Sequence, residues 1–147
     1  MFSPKSILVP TDFSEYSDLS LQNAIDIAKP FKSKLHVLHV VGTVIQCMPY
    51  FHLDPKKIAD LEKESIAAAQ KMLANQLAKF PDSKSVEIEC YTHSGNPYLE
   101  ILRDQEEKKI DLIVIASHGR TGLVTHLLGS VAEKVVRRAK CPVFLVR

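Results

Sequence analysis

The chain contains no tryptophan, five glycines and three cysteines in 147 residues. So little glycine, with eight prolines, excludes collagen-like and low-complexity chains. The cysteines, Cys47, Cys90 and Cys141, are odd in number and show no C-x-x-C spacing. They fit neither a disulfide framework nor a zinc site. Cys90 and Cys141 lie in or beside apolar strand-like runs, so both are expected as small buried thiols in a reducing compartment. Long apolar runs are also missing. No stretch approaches the roughly 18 residues that span a bilayer, and Met1 to Thr11 has no signal-peptide core. A cytoplasmic protein with no membrane partner is expected. Nor is there an excess of one charge. Nineteen Lys and Arg face seventeen Asp and Glu, a net charge of +2, which argues against nucleic acid as a partner. The one basic cluster, Arg137, Arg138 and Lys140, falls at the end of a predicted helix, where cations suit the dipole.

Several chemical signatures are absent as well. No G-x-x-x-x-G-K-[ST] occurs, and no G-x-G-x-x-G follows the first strand, so P-loop and dinucleotide sites have no support. The six histidines form no metal pattern. His36 and His39 stand three apart on a predicted strand and therefore point to opposite faces. There is no G-x-S-x-G elbow and no H-E-x-x-H.

What remains is 46% hydrophobic residues and 24% charged ones, ordinary globular composition in a length suited to one domain, 1–147. Their order alternates. Ser6 to Pro10 reads as a buried strand, and Ser14 to Lys29 as a helix whose inner stripe is Leu21, Ala24, Ile25 and Ala28. Pro30 stops that helix or marks its last turn. Lys34 to Val41 is a second strand. A long helix from Pro55 to Lys79 carries the stripe Ile66, Ala69, Leu73, Leu77 and Phe80. Val86 to Tyr91 alternates apolar with polar, as a strand near a sheet edge does. Gly95-Asn96-Pro97 opens a helix to about Lys108, with Asn96 placed to cap it. Asp111 to Ala116 is nearly all apolar, as a central parallel strand should be. A glycine-bearing loop, Ser117 to Gly129, leads to a helix over Ser130 to Arg138, with Ala132, Val135, Val136 and Ala139 inward. Pro142 to Val146 is the last strand. The alternation predicts an α/β fold: one doubly wound, five-stranded parallel sheet with helices on both faces.

Such sheets bind ligands beyond the carboxyl ends of their strands, where strand order reverses. Pro10-Thr11-Asp12, Val40-Val41-Gly42 and the segment from Ala116 onward should lie there. Gly119, Gly122 and Gly129-Ser130 could bring backbone amides to a phosphate at a helix N-terminus. They could equally serve tight turns, with Ser130-Val131-Ala132-Glu133 as a capping box. Asp12 could accept bonds from a ligand, coordinate a cation or cap the next helix, with Ser14 as the competing cap. His118 sits in the same loop.

Taken together and in order, these pieces carry a likeness. They are Ile7-Leu8-Val9-Pro10-Thr11-Asp12-Phe13-Ser14, Leu38-His39-Val40, Gly95-Asn96-Pro97, Ser117-His118-Gly119-Arg120-Thr121-Gly122, Leu127-Leu128-Gly129-Ser130-Val131 and Cys141-Pro142-Val143. Over essentially its whole length the chain resembles the universal stress protein family, of the adenine-nucleotide-binding kind. The family pattern G-x2-G-x9-G-[ST] is met by Gly119, Gly129 and Ser130, while Ala116 replaces its first glycine. The alanine would be strained at positive φ but tolerated at the end of an extended strand.

The resemblance implies a Rossmann-like, adenine nucleotide α-hydrolase-like fold and a stress-response module binding ATP or another adenine nucleotide, with Mg2+ as a companion. It places Pro10, Thr11, Asp12 and Val40 around adenine and ribose. It places Ile115, Ala116, Gly119, Arg120, Gly129, Ser130 and Val131 around the phosphates. It also implies a homodimer through Pro142 to Val146. Two other readings stay open: a nucleotide-independent dimeric interaction protein, toward which Ala116 points, and a slow ATPase. An adenylyl transferase would carry H-x-G-H or S-G-G-x-D-S near the first strand, where this chain has Pro10-Thr11-Asp12-Phe13-Ser14.

Overall fold

The structure is a computed structural model, and it describes residues 1–42, 54–119 and 128–147. Cys47, Arg120, Thr121 and Gly122 lie outside the described residues. The strands are β1 (Ser6–Pro10), β2 (Lys34–Val41), β3 (Ile88–Ser94), β4 (Leu112–Ala116) and β5 (Val143–Val146). The helices are α1 (Glu15–Phe31), α2 (Pro55–Ala78), α3 (Pro97–Glu107) and α4 (Ser130–Arg138), with a short 3-10 turn over Pro81–Ser85. All strand pairs are parallel, in the order β3-β2-β1-β4-β5. The expected five-stranded parallel α/β architecture is present.

Successive strand residues face opposite sides, so two cores form. On one face Ile7, Val9, Leu35, Val37 and Val114 pack against Leu21, Ala24, Ile25 and Ala28 of α1 and Leu73 of α2. On the other, Leu8, Leu38, Ile113 and Ile115 pack against Ile101 of α3 and Ala132 and Val135 of α4. Ile7, Leu8 and Val9 are fully buried, which is why β1 reads as an unbroken apolar run.

The β1–β4 junction decides where a ligand could enter. Five residue pairs join β1 to β2, but only Ile7–Leu112 and Leu8–Ile113 join β1 to β4. At its base this junction is fastened. The Asp111 carboxylate accepts hydrogen bonds from the backbone N–H of Lys5 (3.1 and 2.9 Å) and of Ser6 (3.1 Å), and Asp111 N–H donates to Ser6 O at 3.0 Å. At its top it ends, and Pro10 gives the reason. Thr11 N–H donates to Leu38 O at 2.8 Å, so odd-numbered β1 residues direct their backbone to β2 and even-numbered ones to β4. The residue that would donate the next bond to β4 is Pro10, which has no N–H.

Local details refine several expectations. Ser14, not Asp12, caps α1, accepting from Ser17 N–H at 3.2 Å. Pro30 lies inside the last turn of α1, and Lys32 closes it in the left-handed region (φ 53°). β3 begins two residues later than expected, because Val86 N–H is drawn into the preceding 3-10 turn by Ser83 O at 3.2 Å. The strand then runs on to Ser94, in register with Val41. Asn96 occupies the cap position of α3 without a side-chain bond. Val136 is 45% exposed rather than inward. Cys90 on the edge strand β3 is exposed and Cys141 is half-buried, so the expectation of two buried thiols fails for both.

Asp111→Ala should lower stability by about 1–3 kcal/mol, read by urea denaturation, because charge-assisted bonds to two backbone amides are lost together. A second expectation concerns pH. Burial holds the His36 imidazole below its ordinary pKa, with the Lys34 charge adding to the effect. The unfolded chain therefore takes up this proton first, and stability falls as pH drops through the ordinary histidine range. Comparing denaturation of wild type and His36→Asn, the difference should be flat above about pH 7 and move in favour of the variant toward pH 5.

Candidate functional site

Beyond the point where β1 and β4 part lies a cleft of about 280 Å³. Pro10, Thr11, Asp12, Val40, Ile115, Ala116, Gly119, Gly129, Ser130 and Val131 all line it. Ten of the eleven residues singled out from the sequence are thus brought together, and the eleventh, Arg120, lies outside the described residues. The cleft also takes in Ser17, Leu38, His39, Pro97, Ile101, Ser117, His118 and Ala132. Ser117 and His118 belong to the loop already singled out, whereas Ser17, Leu38, His39, Pro97, Ile101 and Ala132 were not singled out, since they lie within strands and helices rather than in the loops beyond the strand ends. The Gly95-Asn96-Pro97 signal did mark where α3, and with it Pro97 and Ile101, approaches.

Its walls differ in character. Leu38, Ile101, Ile115 and Ala132 belong to the α3/α4 core, and Val40 and Val131 pack against it, giving an apolar side. The opposite side is polar and built on the β1–α1 turn. There Thr11 O accepts from His39 Nδ1–H at 2.8 Å, and Phe13 N–H donates to Thr11 Oγ1 at 3.1 Å. Ser14 N–H donates to Asp12 Oδ1 at 3.0 Å. Such local bonds are why Thr and Asp favour turns over helix interiors. They hold Phe13 at φ 65°, which costs a non-glycine residue about 1–2 kcal/mol. The Phe13 ring also packs on His39, centroids 4.3 Å apart.

The third wall is the N-terminus of α4. Gly129 takes the cap position, and among the described residues no side chain caps the helix. The capping box that Ser130 and Glu133 could have formed is therefore not made, since Ser130 is already the first helical residue. The first amides of α4 have no intrahelical acceptor, and the helix dipole makes this end attractive to an anion. Two glycines sit at close approaches rather than at positive φ. A Cβ on Gly119 would stand 2.8 Å from Asp12 Oδ2, and one on Gly129 would stand 3.1 Å from Ser117 O. Gly129 N–H also donates to Ser117 O at 2.8 Å, tying the start of α4 to the end of β4. Ala116 ends β4 in extended backbone. Among the described non-glycine residues only Phe13, Lys32 and Lys109 have positive φ, so the alanine is unstrained.

In sum, the cleft offers an apolar side, a carboxylate on a rigid turn and an anion-attracting helix end. A model of the universal stress protein family matches residues 4–147. The chain belongs to the universal stress protein family. It is 35% identical to universal stress protein MJ0531 of Methanocaldococcus jannaschii over 97% of this chain and 82% of that one. Universal stress protein MJ0577 of the same organism is 31% identical over 97% of this chain and 94% of that one. The solved structure of MJ0577 superposes with a TM-score of 0.84, covering 99% of this chain and 96% of that one. A universal stress protein solved in complex with cAMP shares the fold at 22% identity, with a TM-score of 0.72 over 99% of this chain and 98% of that one. Among the described residues no helix is long and apolar enough to cross a membrane.

Proposed function

We propose that this universal stress protein binds ATP or another adenine nucleotide in the β1/β4 cleft and works as a cytoplasmic stress-response signalling module. The observation that carries the reading is the N-terminus of α4, where Gly129 offers no side-chain cap, opening into a cleft that also has an apolar wall. An adenine nucleotide brings phosphates for the helix end and a flat base for apolar contact. Pro10, Thr11, Asp12 and Val40 would surround adenine and ribose. Ile115, Ala116, Gly119, Gly129, Ser130 and Val131 would meet the phosphates, chiefly through backbone N–H groups. The cAMP complex of a protein with this fold supports the fold's capacity for such a ligand. Free Cys90 and Cys141 suit a reducing compartment.

For Mg2+ the fit is partial. Asp12 supplies a hard oxygen, but no group of three or more His, Cys, Asp and Glu gathers among the described residues. The ion would be shared between Asp12 and the phosphates, as Mg2+ commonly is.

The test is direct. Protein purified under native conditions, denatured and analysed by mass spectrometry should release an adenine nucleotide, or, if empty, should bind added ATP by calorimetry. Ser130→Asp places a negative charge at the first helical position. It should leave stability unchanged or slightly raised, since the dipole favours it, while weakening nucleotide binding about tenfold or more. An empty protein that shows no ATP binding would instead leave the nucleotide-independent reading.

The homodimer belongs to the same proposal. β5 is a sheet edge, and Phe144 on it is 44% exposed. An apolar edge of this kind is a liability that pairing with a second copy removes. Sedimentation should find wild type dimeric and Phe144→Glu monomeric.

A further inference from the structure

α2 is 24 residues long, yet only Ala69, Leu73 and Gln76 of it are buried. Gln76 is 3% exposed, so its amide must find partners inside the protein. Nε2 lies 2.8 Å from Asp18 Oδ1 and 3.4 Å from Ser17 Oγ, while Oε1 lies 2.9 Å from Thr11 Oγ1. The carboxylate of Asp18 can only accept, which fixes the amide: NH2 toward Asp18, oxygen toward Thr11. The Thr11 hydroxyl has one hydrogen and two candidate acceptors, Gln76 Oε1 and Ser17 Oγ at 3.0 Å. Ser17 gives its own hydrogen to Ser14 O at 2.8 Å and can accept from Gln76 Nε2. Only donation from Thr11 to Gln76 satisfies every group. The hydroxyl's lone pair is then directed at Phe13 N–H, 3.1 Å away.

We propose that Gln76, on α2, is a positioning residue of the nucleotide cleft, acting through Thr11. This rests on the nucleotide-binding reading above. Gln76 does not line the cleft. By orienting the Thr11 hydroxyl it holds Phe13 in its left-handed conformation, and so sets where Asp12 presents its carboxylate between β1 and Gly119. A buried network of this kind loses its geometry when one member goes, because the remaining polar groups must seek new partners.

Calorimetric titration of ATP and of AMP, each into wild type and variants, tests this. Gln76→Leu should weaken binding about tenfold or more, and should shift the Phe13 amide resonance of the ligand-free protein. Leu73→Ala removes an apolar anchor of the same helix. It should lower the melting temperature while leaving affinity within about twofold and the Phe13 resonance in place. Gln76→Glu alone sets two carboxylates together and should weaken binding. Adding Asp18→Asn restores one donor and one acceptor in reversed order and should recover affinity to within about threefold. That pair decides the matter if Gln76→Leu fails to fold. Wild-type affinity in Gln76→Leu, an equal loss in Leu73→Ala, or no recovery in the double variant would overturn the inference while leaving nucleotide binding intact. Wild type binding neither nucleotide would overturn both.

Discussion

The arrangement depends on a pair of strands joined at one end and parted at the other. Asp111 pins the base of β1 to β4, and Pro10 withholds the donor that would carry the ladder upward. On its other side β1 continues in full register with β2. The cleft is thus a consequence of backbone chemistry in the sheet itself. The glycines and the α4 terminus then furnish it. A proline here does at a central strand what it does elsewhere at edges: it ends pairing on one side only.

Much of this was legible beforehand, for identifiable reasons. β1 and β2 declare themselves because both faces are buried, leaving runs such as Ile7-Leu8-Val9 without polar interruption. Pro10 to Asp12, Val40 and the segment from Ala116 onward were legible because the order of strands and helices fixes which loops share one end of a parallel sheet, whereas Ile115 and Val131 came only with the family resemblance. What was hidden depended on competition between bonds. Val86 looked like strand but serves a 3-10 turn, since Ser83 O reaches its N–H first. Ser130 and Glu133 have the spacing of a capping box, yet the helix begins one residue too early to use it.

Gln76 is the most instructive omission. Its position, three beyond Leu73 and seven beyond Ala69, lies on the buried stripe of α2. Apolar periodicity passes over it because it is polar. No pattern of hydrophobicity can show a buried amide whose purpose is to satisfy other polar groups. The same applies to Thr11. Its place at the end of β1 could be read, but its hydroxyl bonds to α1 and α2 could not. Helical propensity and apolar spacing thus describe how α2 docks, while its single buried polar side chain ties it to the β1–α1 turn.

The strand order also has a consequence for synthesis. Lys5 and Asp111, which pin the two walls together, are 106 residues apart in the chain. As the polypeptide leaves the ribosome, β1, β2 and β3 can associate long before β4 and α4 exist. During that interval one flank of β1, apolar and rich in unmet backbone bonds, faces solvent or a chaperone. Nothing seated in the cleft could assist these early steps, because half of its lining has not yet been translated.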